Sequence, residues 1–210
     1  MHLFAPPQKL EIIKDVYLLS GFVAPFEVQL VADLNAVTLA APLRQMMTPS
    51  GFPMSVITSS CGEVGWVSDK KGYRYSPVDP VTNKLWPAMP NSFKQLAQLA
   101  AATAGFAGFD PDACLINCYQ PATKMGLHQD KDEQDFTQPI VSVSLGISAM
   151  FQMGGFARTD KALKLPLYHG DVLVWGGESR LRFHGVLPIK AAKHPAFAER
   201  RINLTFRKAG

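Results

Sequence analysis

From Ala113 onward the chain is a succession of short apolar runs broken by turn residues, and this pattern narrows the choice of fold most. The runs are Ala113–Tyr119, Ile140–Leu145, Ala149–Gln152, Leu163–Leu167, Asp171–Trp175, Leu181–Val186 and Ile202–Phe206. Between them stand Gly154-Gly155, His169-Gly170-Asp171 and Gly176-Gly177-Glu178. Many short strands at regular spacing specify a sandwich or a barrel. No internal repeat or low-complexity tract competes with that reading.

Two helices are expected before the strands. In residues 26–41, Phe26, Leu30, Val31, Leu34, Val37 and Leu39 recur at helical spacing, and Pro42 ends the pattern. A second helix opens at Ser92, which with Gln95 reads as a capping box. Phe93, Leu96, Leu99, Ala100 and Thr103 continue it, and Gly105 suits the C-cap. Residues 1–25, with Pro6 and Pro7, read as an irregular arm leading to a strand near Val16–Leu19. The fold class is therefore mainly β with flanking helices (α+β), in one domain. Residues 1–43 form an N-terminal extension and helix, 44–90 a loop-rich segment, and 91–210 a helix plus the β core.

Residues 44–90 are punctuated by Pro49, Gly51, Pro53, Gly62, Gly65, Gly72 and Pro77, with strand-like pieces at Met54–Thr58 and Gly65–Val67. Long irregular stretches in compact domains are usually functional loops. This one interleaves Trp66, Tyr73 and Tyr75 with Lys70, Lys71 and Arg74. Aromatics among cations suit base stacking and phosphate contact. The same residues also read as a β-hairpin with aromatics on the core and a solvated basic tip.

Composition sets bounds. An apolar fraction of 47% over 210 residues supports a substantial core. No apolar run approaches the ~18 residues of a membrane span, so no membrane partner is expected. The first fifteen residues lack a basic region ahead of an apolar stretch, so no signal peptide is read. Cys61, Cys114 and Cys118 are an odd set without CxxC spacing. They argue for a reducing, cytoplasmic compartment and against both a disulfide framework and a zinc site. The net charge of +4 is compatible with a polyanionic partner.

The stretch Leu115–Asp130 carries the chemistry. It begins as a strand and, after a turn, delivers His128 and Asp130. In extended chain, residues two apart share a face at roughly 6.6 Å. An imidazole and a carboxylate converging on one point are two thirds of a non-haem iron site, and a distant His would complete it. A second His-x-Asp, His169-Gly170-Asp171, reads as turn chemistry with Asp171 bonding nearby backbone. A hairpin turning near Gly177 would nevertheless bring Asp171 toward His184, so spacing leaves both pairs open. In the final run, Arg201, Asn203, Thr205 and Arg207 share one strand face and Ile202, Leu204 and Phe206 the other. Arginines on the inner face of a barrel require an anion, and a guanidinium grips carboxylate in a bidentate fork. On an exposed edge strand they would simply be solvated. Asn117 and Tyr119 share a face of the opening strand and offer hydrogen bonds.

The segments NCYQPATKMGLHQDKDE, IVSVSLG, HGDVLVWGGESRLRFHGV and RINLTFR, with SPVDPVTNKLWPAMP upstream, closely resemble the AlkB family of Fe(II)/2-oxoglutarate-dependent nucleic-acid dealkylases. The resemblance spans roughly residues 50 to 210. It implies a double-stranded β-helix, or jelly-roll, with an N-terminal helical layer and a nucleotide-recognition lid over 44–90. It makes His128, Asp130 and His184 the iron ligands and catalytic centre. It assigns Asn117, Tyr119, Arg201, Asn203 and Arg207 to 2-oxoglutarate, with Arg201 expected at the distal carboxylate. His169-Gly170-Asp171 matches the family's structural turn.

On the substrate side the resemblance implies that Trp66 stacks on a flipped-out base opposite His128 and that Tyr73 reaches a phosphate. Lys131, Asp132 and Glu133 are expected to line the same mouth, and Arg158 to cover the pocket. Asp132 would accept from a base amino group or favour a cationic base. Glu133 and Arg158 also read as a surface ion pair. The reaction implied is oxidative demethylation of N1-methyladenine and N3-methylcytosine, using Fe(II), 2-oxoglutarate and O2 and releasing formaldehyde and succinate. The expected partner is single-stranded DNA, with RNA or a duplex bearing a flipped base as variants, and the expected state is a monomer. Two other classes stay in view: a related oxygenase acting on a protein or small molecule, and a non-catalytic jelly-roll that binds a ligand.

Overall fold

A computed structural model describes residues 8–210. The chain opens with a hairpin, β1 (Gln8–Ile13) and β2 (Val16–Ser20), followed by helix α1 (Glu27–Ala40). Strands β3 (Arg44–Met47), β4 (Pro53–Gly62), β5 (Gly65–Asp69) and β6 (Gly72–Ser76) precede helix α2 (Asn91–Ala104). The core strands are β7 (Ala113–Tyr119), β8 (Met125–His128), β9 (Ile140–Gly146), β10 (Ala149–Met153), β11 (Leu163–Leu167), β12 (Val172–Trp175), β13 (His184–Val186) and β14 (Arg201–Arg207).

They form two facing sheets. The larger has the order β1-β2-β12-β9-β14-β7-β4-β3 and the smaller β11-β10-β13-β8, while β5-β6 stands apart as a hairpin. Every pairing between the strands is antiparallel. This is the jelly-roll that the family resemblance implied, and it agrees with the sandwich or barrel expected from the strand pattern.

The large sheet is covered on both faces, which is why β7, β9, β12 and β14 are buried throughout. One face meets the helices. Leu30, Leu34 and Val37 of α1 and Phe93, Leu96, Ala97, Ala100 and Ala101 of α2 pack there with Ile116, Val143, Val174, Leu204 and Phe206. The other face meets the small sheet through Ile140, Tyr119, Leu173 and Trp175 on one side and Phe151, Met153 and Val186 on the other. Cys61, Cys114 and Cys118 lie in the helix-side core as free thiols, Cys114 and Cys118 on the same strand face as Ile116. Gly146 ends β9 at φ +84°, where a Cβ would stand 2.2 Å from the Arg200 carbonyl oxygen, so only glycine fits.

Three local expectations are corrected. Residues 8–20 are a paired hairpin at the edge of the large sheet rather than an irregular arm, because β2 finds a partner in β12. Pro6 and Pro7 lie outside the described residues. The capping box is not formed: α2 begins one residue earlier, after Pro90, with no side-chain cap. The Ser92 hydroxyl instead bonds Asp33 of α1 at 2.5 Å, tying the helices together. The expected αL cap at Gly105 is present, at φ +109°. The segment 44–90 is divided, because β4 pairs with β7 along the large sheet and only β5-β6 projects from it.

Candidate active site

β8 ends at His128 and β13 begins at His184, and the two residues are direct cross-strand partners. Opposed residues hold their Cβ atoms about 5 Å apart, and the ring centroids lie 4.5 Å apart. Asp130 follows where β8 has ended. Its Oδ1 is 3.7 Å from His128 Nε2 and its Oδ2 3.7 Å from His184 Nε2. Among the described residues this is the one group of three His, Cys, Asp or Glu whose ligand atoms all fall within 4.8 Å.

Both rings turn the same nitrogen, Nε2, toward Asp130. His128 Nδ1 lies 2.9 Å from the Gly126 carbonyl and His184 Nδ1 3.1 Å from the Arg182 carbonyl. A carbonyl only accepts, so each Nδ1 carries the proton and each Nε2 offers its lone pair inward. Burial and the neighbouring His128 charge, against the pull of Asp130, bring the His184 pKa down to about 4. Burial pushes the Asp130 carboxyl up, but Arg207, His184 and His128 outweigh it and hold it well below the ordinary carboxylate range. Neutral imidazole and ionised carboxylate are the metal-binding forms.

The rival His169-Gly170-Asp171 is a structural turn. Asp171 accepts from the Gly21 and Tyr168 backbone N–H groups at 3.0 and 2.8 Å. His169 accepts from Gly146 N–H and donates to Glu27, each at 3.0 Å. β12 pairs with β2 and β9 rather than with β13, so Asp171 is not carried to His184.

On the inner face of the large sheet, Arg201 pairs with Tyr119 and Asn203 with Asn117 across β14 and β7. Arg201 is 1% exposed. Its guanidinium stands 5.0 Å over the Tyr119 ring, and Nη2 donates to Ser144 Oγ at 3.0 Å. Its Nε and Nη1 have no partner, nor does Asn117 Oδ1. A buried guanidinium with two idle donors is costly unless an anion completes it. Arg207 donates from Nε and Nη2 to Asp130 Oδ2 at 2.8 and 2.7 Å. Asn203 donates to Ser142 Oγ at 2.8 Å and accepts from Thr205 at 2.9 Å. Ser142 and Ser144 escaped the sequence reading, although the alternation in IVSVSLG was the available signal: hydroxyls at every second position of a buried strand share a face.

The β5-β6 hairpin stands over this cavity. Trp66 and Tyr73 stack at 5.5 Å and 14°, and Trp66 Nε1 donates to Asp132 at 2.9 Å. Lys70 and Lys71 are exposed at the tip, whereas Arg74 is turned onto Asp69 at 2.8 Å. A single cavity of about 580 Å³ is lined by the three His/Asp/His residues, Asn117, Tyr119, Arg201, Asn203 and Arg207, and by Trp66, Tyr73, Lys131, Asp132, Glu133 and Arg158.

One expectation fails within it. Glu133 lines the cavity as expected, but from its buried wall: it is 6% exposed, accepts from Tyr75 Oη at 2.6 Å, and pairs with Arg180 at 3.1 Å and Arg207 at 3.4 Å. Its ion pair with Arg158 therefore does not form. Arg158 instead donates to the Leu127 carbonyl and lies 5.0 Å over the Phe183 ring. Tyr75 is correspondingly no exposed aromatic, and burial together with Glu133 raises its pKa well above the usual phenol value.

Comparison with known proteins agrees with this geometry. The family model described as the 2OG-Fe(II) oxygenase superfamily matches residues 15–207. The chain is 53% identical over 206 residues to "Alpha-ketoglutarate-dependent dioxygenase AlkB" of Escherichia coli (strain K12), covering 98% of this chain and 95% of that protein. It is 42% identical over 183 residues to "Alpha-ketoglutarate-dependent dioxygenase AlkB homolog" of Caulobacter vibrioides (strain NA1000 / CB15N), covering 86% and 80%. The solved structure titled "The structure of OsALKBH1" superposes with a TM-score of 0.82 at 28% identity, covering 96% of this chain and all of that one. The chain belongs to the 2OG-Fe(II) oxygenase superfamily and, within it, to the AlkB family of Fe(II)/2-oxoglutarate-dependent dioxygenases.

Proposed function

We propose that the protein repairs alkylated nucleic acid by oxidative demethylation, acting as a monomer in the cytoplasm on N1-methyladenine and N3-methylcytosine, with single-stranded DNA as the main substrate. The observation that carries this reading is the joining, in one cavity, of a His/Asp/His triad, a buried arginine with idle donors and a stacked aromatic pair. Two neutral imidazoles and one carboxylate are a donor set that suits iron(II) and leaves open positions. A dicarboxylate suits the anion pocket, and 2-oxoglutarate is the co-substrate of the family.

In this reading His128, Asp130 and His184 hold iron. Arg201, with Tyr119 and Asn117, takes the distal carboxylate of 2-oxoglutarate, and Asn203 and Arg207 serve the end nearer the metal. Iron(II), 2-oxoglutarate and O2 together supply the oxidant that hydroxylates the N-methyl carbon, with succinate and CO2 as by-products. The rest is positioning by the chain. Trp66 presents one face to Tyr73 and the other to a base stacked against His128. The lesions lie on the Watson–Crick edge, so the base must be unstacked, and blocked pairing makes that easier. Asp132 exchanges its bond to Trp66 for the exocyclic amino group of the base. Tyr73, Lys131 and Arg158 lie where the sugar-phosphate chain would pass. The hydroxymethyl product then collapses to formaldehyde and the free base.

The test is anaerobic loading with iron(II), followed by a formaldehyde assay on methylated DNA and RNA oligonucleotides. Formaldehyde from single-stranded N1-methyladenine DNA is the expected result. Succinate formed without formaldehyde on every oligonucleotide would overturn the reading and point to another acceptor.

A further inference from the structure

Arg180 is 2% exposed and does more than pair with Glu133. It donates from Nε to the Gln138 carbonyl at 2.9 Å, from Nη1 to the Asp130 carbonyl at 2.8 Å, and from Nη2 to Glu133 at 3.1 Å. These three acceptors are spread along the segment 129–138, which runs between β8 and β9 with no regular structure. Asp130 therefore sits where no strand ladder fixes the backbone. One planar guanidinium, presenting its donors in a rigid fork, does so instead.

Arg180 is itself held from behind. It follows a turn of 3-10 helix at Gly177–Ser179, and its N–H bonds the Gly177 carbonyl. Asp15, at the β1-β2 turn, accepts from the Glu178 N–H at 3.0 Å, and the Ser179 hydroxyl donates to the Lys14 carbonyl at 2.5 Å. Glu133 neutralises the buried cation and is shared with Arg207, whose other partner is the Asp130 carboxylate.

We propose that Arg180 is a positioning residue for the metal centre: it fixes the backbone of Asp130 while Arg207 orients the carboxylate, and Glu133 is the common counter-ion of the two arginines. A simple stability role would require only that the buried charges be paired. A positioning role requires the hydrogen bonds to the Asp130 and Gln138 carbonyls as well. The proposal rests on His128, Asp130 and His184 being the ligands.

The experiment measures Mn(II) binding to the full chain by electron paramagnetic resonance, alongside thermal unfolding. Wild type should bind one Mn(II), and Asp130→Ala should lose it; failure of either result removes the ligand assignment itself. The double variant Arg180→Met/Glu133→Gln removes the buried cation and anion together and keeps an acceptor for Tyr75. It should fold, yet bind Mn(II) about 10- to 100-fold more weakly, the usual effect of removing an outer partner of a metal ligand. Arg180→Lys keeps the charge and loses the fork. It should also weaken binding and alter the Mn(II) spectrum, and it decides the matter if the double variant does not fold. Mn(II) affinity within twofold of wild type in a folded variant would overturn the proposal.

Discussion

Asp130 lies two residues past the last residue of β8, and it meets two imidazoles and a guanidinium. Replacing it with alanine removes the one carboxylate of the His/Asp/His group and leaves Arg207 buried beside Glu133 alone. Asp130→Ala is expected to lose Mn(II) binding and to reduce formaldehyde release to background, whereas His169→Ala keeps Mn(II) binding because its ring serves Gly146 and Glu27. Metal titration of the two variants separates them. In the proposed reading Trp66 bears on a different quantity. Stacking of a base on an aromatic ring contributes about 1–3 kcal/mol, and each 1.4 kcal/mol is about tenfold in affinity. Trp66→Ala should therefore weaken a methylated oligonucleotide by about 5- to 150-fold while 2-oxoglutarate affinity stays within about twofold. Fluorescence anisotropy and calorimetry measure the two affinities.

At the scale of elements, α2 and the Arg44–Asp79 clamp hold the layers in place. Phe93 is fully buried and meets Phe206 edge-on at 5.9 Å and 88°, so α2 seals the helix-side core beneath β14. Phe93→Ala should cost about 3–5 kcal/mol in chemical denaturation. Its effect on the cavity residues is indirect, because they lie on the opposite face of β14. Arg44 on β3 forks onto both oxygens of Asp79 in the loop after β6. Burial pushes the Asp79 carboxyl up, and the Arg44 bond with the Val81 N–H and the Thr82 hydroxyl outweighs this, so its pKa is lowered on folding. A carboxyl depressed in the folded state stabilises above its unfolded pKa of about 4, and that contribution is lost as pH falls through the folded value. Unfolding midpoints measured from pH 6 to pH 2 should fall less steeply for Asp79→Asn than for wild type on the acid side.

Over the whole molecule the net charge is +4, with Lys131 and Arg158 lining the cavity and Lys70 and Lys71 exposed at the tip of the β5-β6 hairpin. Phosphate contacts release counterions, so oligonucleotide affinity should fall linearly as salt rises on a double-logarithmic plot. Lys131→Ala should reduce the slope by about 0.7 for a single strand. None of the helices among the described residues is long and apolar enough to cross a membrane.

Much of this architecture was already legible along the chain. The apolar runs gave β7 and β11 to the residue, because a strand facing apolar cover on one side or both writes its own boundaries in local alternation. The same alternation assigned Arg201, Asn203, Thr205 and Arg207 to one face, and the specific motifs around His128 and His184 marked the family. Three matters lay beyond it. His128 and His184 become a pair only through the β8-β13 register, a contact between segments more than fifty residues apart. Glu133 looked like a solvent-facing neighbour of the ligands until Tyr75, Arg180 and Arg207, each from a distant segment, closed around it. Arg180 carried no local signal, since a single arginine in a glycine turn reads as solvated. Strand identity and side-chain parity depend on neighbours in the chain and are written there. Burial of a charge, and the point where two strands cross, depend on partners far along it and exist only once the sheets have closed.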